Sequence, residues 1–150
     1  MTIELSGPWQ HQEIDQFLSG SALPVRLSCI ASDGFPRVVS LWYQYAADTL
    51  YCVTHKSSKL IRLLENNNRV GFEVSPNTPP YCGIRGQGTA ELNPLGESPL
   101  LQELVTRYVG DTDSSFSRWL ISRSADEIIV SVTPHRLYSW DYRKRMSGGT

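Results

Sequence analysis

The segment Thr54-His55-Lys56-Ser57-Ser58-Lys59-Leu60-Ile61-Arg62 concentrates hydroxyls and cations where the hydrophobic period changes. A period-two run ends at Thr54, and Leu60, Ile61, Leu63 and Leu64 then fall on one helical stripe. The first amides of a helix have no internal partners and carry the positive end of its dipole. A strand-to-helix junction of this kind is therefore a natural anion site. Ser57 or Ser58 can cap the helix and also donate a hydroxyl to a phosphate. Lys59 and Arg62, three apart, share a helix face and can reach the same anion. An ordinary N-cap with a solvated basic face explains the same residues, and the segment alone favours that plainer account.

Arg37 and Ser40, just after the Gly34-Phe35 turn, can supply charge and a hydroxyl to the same ligand. An edge arginine packing its stem over an aromatic neighbour fits equally well. Gly86 and Gly88 lie two apart on a small-residue strand face, where glycine is costly unless something approaches the backbone. A flat ring, a neighbouring strand at a barrel corner and a partner subunit all satisfy that pattern. Trp42, Tyr43, Tyr45, Tyr51, Trp140 and Tyr142 load the strands with aromatics, mostly as core. Phe116 and Trp119, three apart, read as helix-packing residues.

Other chemistries find little support. There is no G-x-S-x-G elbow. The Walker and G-x-G-x-x-G fingerprints are absent, since Gly83-x-x-Gly86-x-Gly88 has the wrong spacing and lies within a strand. Asp126-Glu127, at a strand entrance, reads as solvated rather than as an acid/base pair. Cys29, Cys52 and Cys82 form no C-x-x-C pair and read as buried free thiols in a reducing cytoplasm. His11, His55 and His135 lack ligand spacing to the cysteines or to each other, so no metal site is expected.

The elements that must carry these residues follow from periodicity. A helix is predicted over about His11 to Leu18. From Pro24 the period becomes two, with Val25, Leu27, Cys29 and Ala31 on one face. Asp33-Gly34 marks a hairpin, a second strand covers about Arg37 to Tyr45, Ala47-Asp48 turns, and a third strand runs from about Leu50 to Thr54. A helix spans about Ser58 to Glu65, and Val70, Phe72 and Val74 mark a fourth strand. The fifth, Cys82 to Leu92, alternates most cleanly. Helices follow at about Pro99 to Val109 and Ser115 to Arg123, then strands at about Ile128 to Val132 and Arg136 to Tyr142. This order predicts a mainly β (α+β) fold, an antiparallel barrel of six to seven strands with peripheral helices.

The chain has 150 residues, 40% hydrophobic and 10% aromatic, with a formal net charge of −1. That suits a single domain over 1–150, its core at about 11–142 and 143–150 a flexible tail, with Ser147 to Thr150 frayed. The near-neutral balance gives no reason to expect nucleic acid as partner. No apolar run approaches the roughly 18 residues of a membrane span, and Met1 to Pro8 does not read as a secretory signal.

Taken in order, these pieces resemble the pyridoxamine-phosphate-oxidase-like FMN-binding split barrels. The resemblance is carried by Leu27 to Ile30, Asp33-Gly34-Phe35-Pro36-Arg37-Val38-Val39, Asp48-Thr49-Leu50-Tyr51 with Thr54, Ser58-Lys59 with Leu63, and Asn68-Arg69-Val70. It closes on Arg85-Gly86-Gln87-Gly88-Thr89-Ala90-Glu91 and Thr133-Pro134-His135-Arg136-Leu137-Tyr138-Ser139-Trp140-Asp141. It implies a homodimer with FMN at the subunit interface. Arg37, Thr54, Ser58 and Lys59 would hold the flavin phosphate and ribityl chain, and Val38, Val39, Ser40 and Val53 would border the ring. Gln87 and Trp140 would face the cofactor from the partner chain. The resemblance also implies an FMN-dependent oxidoreductase acting on a small molecule. A non-catalytic flavin or haem carrier or sensor, or a deazaflavin-dependent reductase, are the alternatives. Two departures argue against oxidation of pyridoxamine phosphate itself. Trp42 stands where the namesake oxidases carry a lysine, and their basic substrate motif and arginine-proline ending are missing.

Overall fold

Alternating apolar residues form the strands, and what closes them into a barrel is a break in one of them. The computed structural model describes residues 2–146. In chain order these form β1 (Glu4–Ser6), α1 (His11–Gly20), β2 (Val25–Ile30), β3 (Pro36–Leu41), β4 (Tyr43–Ala46), β5 (Thr49–His55), α2 (Lys59–Asn66) and β6 (Arg69–Val74). Then come β7 (Cys82–Pro94), α3 (Leu100–Tyr108), α4 (Ser115–Ser122), a 3-10 turn at Ser124–Asp126, β8 (Glu127–Asp141) and α5 (Arg143–Met146). The order across the sheet is β3-β2-β6-β7-β8-β5-β4, with β1 added in parallel to β8. The other pairings are antiparallel.

The single strand predicted from Arg37 to Tyr45 is two strands, broken at Trp42. β3 pairs with β2 and β4 pairs with β5, at opposite ends of the sheet order. A chain that crosses between the two edges through one residue curls the sheet on itself, which makes the expected split barrel. The Tyr43 amide beside the break donates to the Tyr108 hydroxyl at 3.2 Å, and the Tyr108 ring stacks on Trp42 with centroids 5.1 Å apart. The break is thus stitched by a side chain from α3. Both predicted hairpin turns are present: Gly34 has φ +85°, and Ala47 and Asp48 have φ 49° and 61°. The left-handed pair is the geometry that a tight hairpin with right-twisted strands requires.

A second difference lies in β8. The runs predicted at Ile128 to Val132 and Arg136 to Tyr142 are one strand of 15 residues. Gln87 opposes Arg136 while Gly88 opposes Pro134, so His135 is an extra residue and β8 bulges there. Pro134 has no amide for the ladder and is tolerated at such a bulge. The bulge presses β8 onto β7. A Cβ on Gly88 would lie 2.2 Å from the Thr133 carbonyl oxygen, and one on Gly86 would lie 2.6 Å from that of Arg136. Of the three readings of the paired glycines, crowding by a neighbouring strand is the one observed. The three-residue β1 carries no periodic signal and was not anticipated.

Alternate side chains of β2, β4, β5, β6, β7 and β8 fill the barrel, and Ile14 and Leu18 of α1 join Leu60, Ile61 and Leu64 of α2 in the same core. A second cluster, Leu95, Leu100, Leu101, Leu104 and Val105, packs α3 against Tyr51, Val53 and Ile129 on the outside of β5 and β8. All three cysteines are free and buried, and burial pushes the Cys52 thiol up to about 12. Part of the expected flexible tail, Arg143–Met146, is the short helix α5, and residues 147–150 lie outside the described residues. Among the described residues no helix is long and apolar enough to cross a membrane.

Candidate functional site

The junction singled out in the sequence has an uncapped helix start. Ser58 occupies the N-cap of α2 with extended backbone (φ −66°, ψ 148°), yet its side chain makes no capping hydrogen bond. Its Oγ instead accepts the Thr54 hydroxyl at 3.3 Å. The first-turn amides of Lys59, Leu60 and Ile61 therefore keep their donor capacity, because nothing from the cap reaches them. Lys59 and Arg62 are exposed and form no ion pair among the described residues. The neighbouring cation, Lys56, is already committed. Its ammonium pairs with Asp126 at 2.9 Å and its amide donates to the Asp126 carbonyl at 2.8 Å. This clamp fixes the end of β5 to the start of β8, and the Lys56 hydrogen bond holds the Asp126 carboxyl below its ordinary range.

His55 is fixed by the same turn. Its Nδ1 accepts the Ser57 amide at 3.1 Å and lies 2.7 Å from the Ser57 hydroxyl. A ring nitrogen that accepts from an amide carries no proton, so the neutral ring carries its proton on Nε2.

Beside this junction the split of the barrel opens as a cleft of about 330 Å³. Ser40, Leu41 and Trp42 from the end of β3 face Val53, Thr54 and His55 from β5. Leu101 and Leu104 of α3, Phe116 and Leu120 of α4, Arg123 and Glu127 complete the wall. Three predicted residues, Ser40, Val53 and Thr54, thus meet in one cleft, and Ser58 is tied to Thr54 by its hydrogen bond. Val39 is half-buried against the barrel core, while Val38 and Arg37 are exposed on β3. Arg37 and Ser40 are three apart, so strand alternation sends them to opposite sides of β3. Arg37 shares its side with Cys29, its cross-strand partner.

Gln87 and Trp140 are not brought to this cleft within one chain. Gln87 lines a separate surface cleft of about 570 Å³ with Ser28, Arg69 and His135. Trp140 lies at the far end of β8 from Ile128, the partner of Thr54. There Tyr138 and Trp140 stack with centroids 6.4 Å apart, and the Arg85 guanidinium sits 4.4 Å from the Tyr138 ring centre.

Sequence reasoning did not assign Phe116, Arg123 or Glu127 to the cleft. Phe116 and its stacking neighbour Trp119, expected to pack inward, are 52% and 53% exposed, with centroids 6.4 Å apart. Arg123 lies 4.8 Å over the Trp119 ring. Glu127 is half-buried rather than solvated, and directly opposes His55 across the β5–β8 ladder. Burial pushes the Glu127 carboxyl above its ordinary value, against the opposing pull of Arg123 and His55. The usable signal was the alternation of β8, which puts Glu127 on the side of Ile129, the side that α3 covers.

Away from the cleft, His11, Asp15 and Asp48 bring one ligand atom each within 4.8 Å of one another. Sequence spacing did not show this group, because Asp48 arrives through the β4–β5 turn. Hydrogen bonds within the group account for it: His11 Nε2 lies 2.8 Å from Asp48, and the Tyr45 hydroxyl donates to Asp15 at 2.9 Å.

No curated protein matches the chain in sequence. Among solved structures, a conserved hypothetical protein of Mycobacterium tuberculosis is similar over 95% of this chain and 91% of its own, at 22% identity and a TM-score of 0.79. An F420 reductase is similar over 81% of this chain and 94% of its own, at 22% identity and a TM-score of 0.70. A FAD-binding protein of Mesorhizobium loti is similar over 87% of this chain and 93% of its own, at 22% identity and a TM-score of 0.66. These likenesses establish the split-barrel fold. A family profile described as pyridoxamine 5'-phosphate oxidase matches residues 10–135, most of the 150-residue chain. On that match, the chain belongs to the pyridoxamine 5'-phosphate oxidase family.

Proposed function

We propose that this protein is an FMN-dependent oxidoreductase for a small substrate, working as a cytoplasmic homodimer. The observation that carries the reading is the bare N-terminus of α2. Ser58 sits at the cap position but turns its oxygen to Thr54, leaving the first-turn amides beside an unpaired Lys59. Those donors fit a phosphate, which accepts several hydrogen bonds and favours the positive end of a helix. Ser58, Lys59 and Thr54 would hold the phosphate and ribityl chain, with Arg37 reaching in from its side of β3. Ser40 and Val53 would border the ring, together with the backbone of Val38 and Val39. Gln87 and Trp140 are too far along the barrel to serve the same chain's cofactor, so in this reading a partner subunit supplies them. The bound flavin supplies the electron chemistry. The protein's own side chains bind it, orient it and shield it from water.

The likeness to an F420 reductase favours a second reading, in which the same anion site holds a deazaflavin phosphate. The spectrum of the purified protein, with mass analysis of what boiling releases, separates the two. Oxidised-flavin absorption that bleaches with a nicotinamide donor under anaerobic conditions supports the enzyme. A deazaflavin mass supports the second reading. A Soret band, or flavin that no donor reduces, points to a carrier without turnover. Sedimentation of a monomer with flavin fully bound would remove the partner roles of Gln87 and Trp140.

A further inference from the structure

The cleft at the split is two-sided in its chemistry. One side is apolar: Trp42, Leu101, Leu104, Phe116 and Leu120. Phe116 is 52% exposed, and its contact with Trp119 lies at the surface rather than in the core. An exposed aromatic at the rim of a cleft is available to a flat ligand.

The other side is polar, and its charges cancel. Arg123 and Glu127 both line the cleft, and neither has an ion-pair partner within 4.0 Å among the described residues. The adjacent pair, Lys56 with Asp126, is closed on itself at 2.9 Å. Against this balance a ligand anion would gain Arg123 but meet Glu127, and a ligand cation would do the reverse. An uncharged molecule leaves the balance intact, since a charge taken into an apolar site is costly without its own partner. Glu127 supplies an acceptor and the Ser40 and Thr54 hydroxyls can act either way, but the cleft also offers two donors. The Arg123 guanidinium is one, and His55 Nε2–H is another, because Nδ1 is taken by the Ser57 amide. The complementary ligand group is an uncharged acceptor oxygen.

Building on the oxidoreductase reading, we propose that the α3–α4 side of this cleft, beside the flavin ring bordered by Ser40 and Val53, is the substrate pocket and takes an uncharged, ring-shaped carbonyl compound. Its rings lie between Trp42 and Phe116 and its oxygen faces Arg123 and His55.

Calorimetric titration of the full-length, FMN-saturated protein with 1-tetralone and with 1-naphthoate, a carboxylate of similar size, tests this. Tetralone is expected to bind at least tenfold more tightly at pH 7.5. Phe116→Ala and Arg123→Gln should each weaken tetralone at least fivefold, with melting temperatures near that of the parent. Glu127→Gln should improve naphthoate at least tenfold, because it removes the opposing charge and leaves Arg123. Equal or tighter binding of naphthoate by the parent would overturn the proposal, as would tetralone affinity indifferent to both Phe116 and Arg123. A protein that binds FMN but no tetralone loses this substrate assignment alone. One that binds tetralone with these variant effects but never takes up FMN keeps the ligand site and loses the oxidoreductase reading.

Discussion

Ser58→Asp should stabilise the fold and abolish flavin binding at once. Ser58 stands at the N-cap with extended backbone and no capping bond, and its side chain accepts the Thr54 hydroxyl at 3.3 Å. An aspartate there can turn to the free amides of Leu60 and Ile61 and place its charge at the positive end of α2. Capping contributes about 0.5–2 kcal/mol and the dipole about 0.3–1 kcal/mol. A net gain of ~1 kcal/mol raises the melting temperature of a chain of 150 residues by about 2–4 °C. A bound phosphate would lose the serine hydroxyl, a charge-assisted bond of about 1.5–3 kcal/mol. It would also face a carboxylate at roughly 4 Å, repelled by about 4 kcal/mol per unit charge at an effective dielectric constant near 20. Together these cost at least ~5 kcal/mol, a loss of roughly 10³-fold or more in affinity. Quenching of flavin fluorescence reads the affinity, and thermal unfolding without flavin reads the stability. Opposite signs cannot come from general misfolding. A stabilised variant that lost less than tenfold in FMN affinity would refute the anion site. A clearly lowered melting temperature would refute the account of the bare helix end.

Gly88→Ala should destabilise by at least ~3 kcal/mol, since its Cβ would meet backbone atoms of Thr133 and Pro134 at 2.2 to 2.9 Å; a urea midpoint close to that of the parent would contradict the bulge geometry. Arg107→Met removes donors to the carbonyls of Leu18 (2.8 Å), Ser19 (3.1 Å) and Ser21 (2.6 Å) at the end of α1. It should cost about 2–4 kcal/mol, with amide exchange in α1 accelerated ahead of that in β7 and β8, and uniform acceleration would argue against a local clamp. The Asp48 hydrogen bond raises the His11 pKa above 6.5, so this contribution is full below pH 6.5 and is lost as pH rises through the raised value. His11 is 46% exposed, so the effect is at most about 1 kcal/mol; urea titrations of His11→Ala and the parent at pH 5.5 and pH 8.5 should diverge only at the lower pH.

What periodicity could read, it read correctly. β2, β5, β6, β7 and the helices α1 to α4 fall within a residue or two of their predicted ends, because each buries one face and keeps its period. The two strand errors share a cause. Breaking a strand at Trp42 and fusing two across Thr133-Pro134 both depend on what lies opposite. Trp42 interrupts the ladder because β3 and β4 answer to different neighbours, and Pro134 stays inside a strand because β8 bulges beside it. Neither neighbour is encoded nearby. The site divides in the same way. Thr54 and Ser58 are four residues apart and were readable together. Phe116 and Arg123 reach the cleft through the packing of α3 and α4 outside the barrel, and Glu127 through the pairing of β8 with β5, so no local spacing could join them to Thr54. Phe116 and Trp119 have the i, i+3 spacing of a buried stripe, and spacing cannot say whether a stripe meets core or solvent.

The cleft exists because the barrel is split. If Arg37 to Tyr45 were one strand along β2, Ser40 and Leu41 would have no route to the edge of β5, and the gap between those edges would not form. The break at Trp42 opens that gap, and α3 then fills its outer side, with Tyr108 stacked on Trp42 and taking the Tyr43 amide. The proposed anion-binding half of the site is therefore built from the barrel and the start of α2, which the fold itself fixes. The ring-facing half is walled by α3, α4 and the first residue of β8, which pack outside the barrel core. Changes in those outer elements can alter what the cleft accepts without disturbing the barrel. Such a division would let proteins on one fold keep a cofactor site and differ in substrate. Side chains on α4 should accordingly govern ligand choice here, and side chains at the α2 junction should govern cofactor affinity.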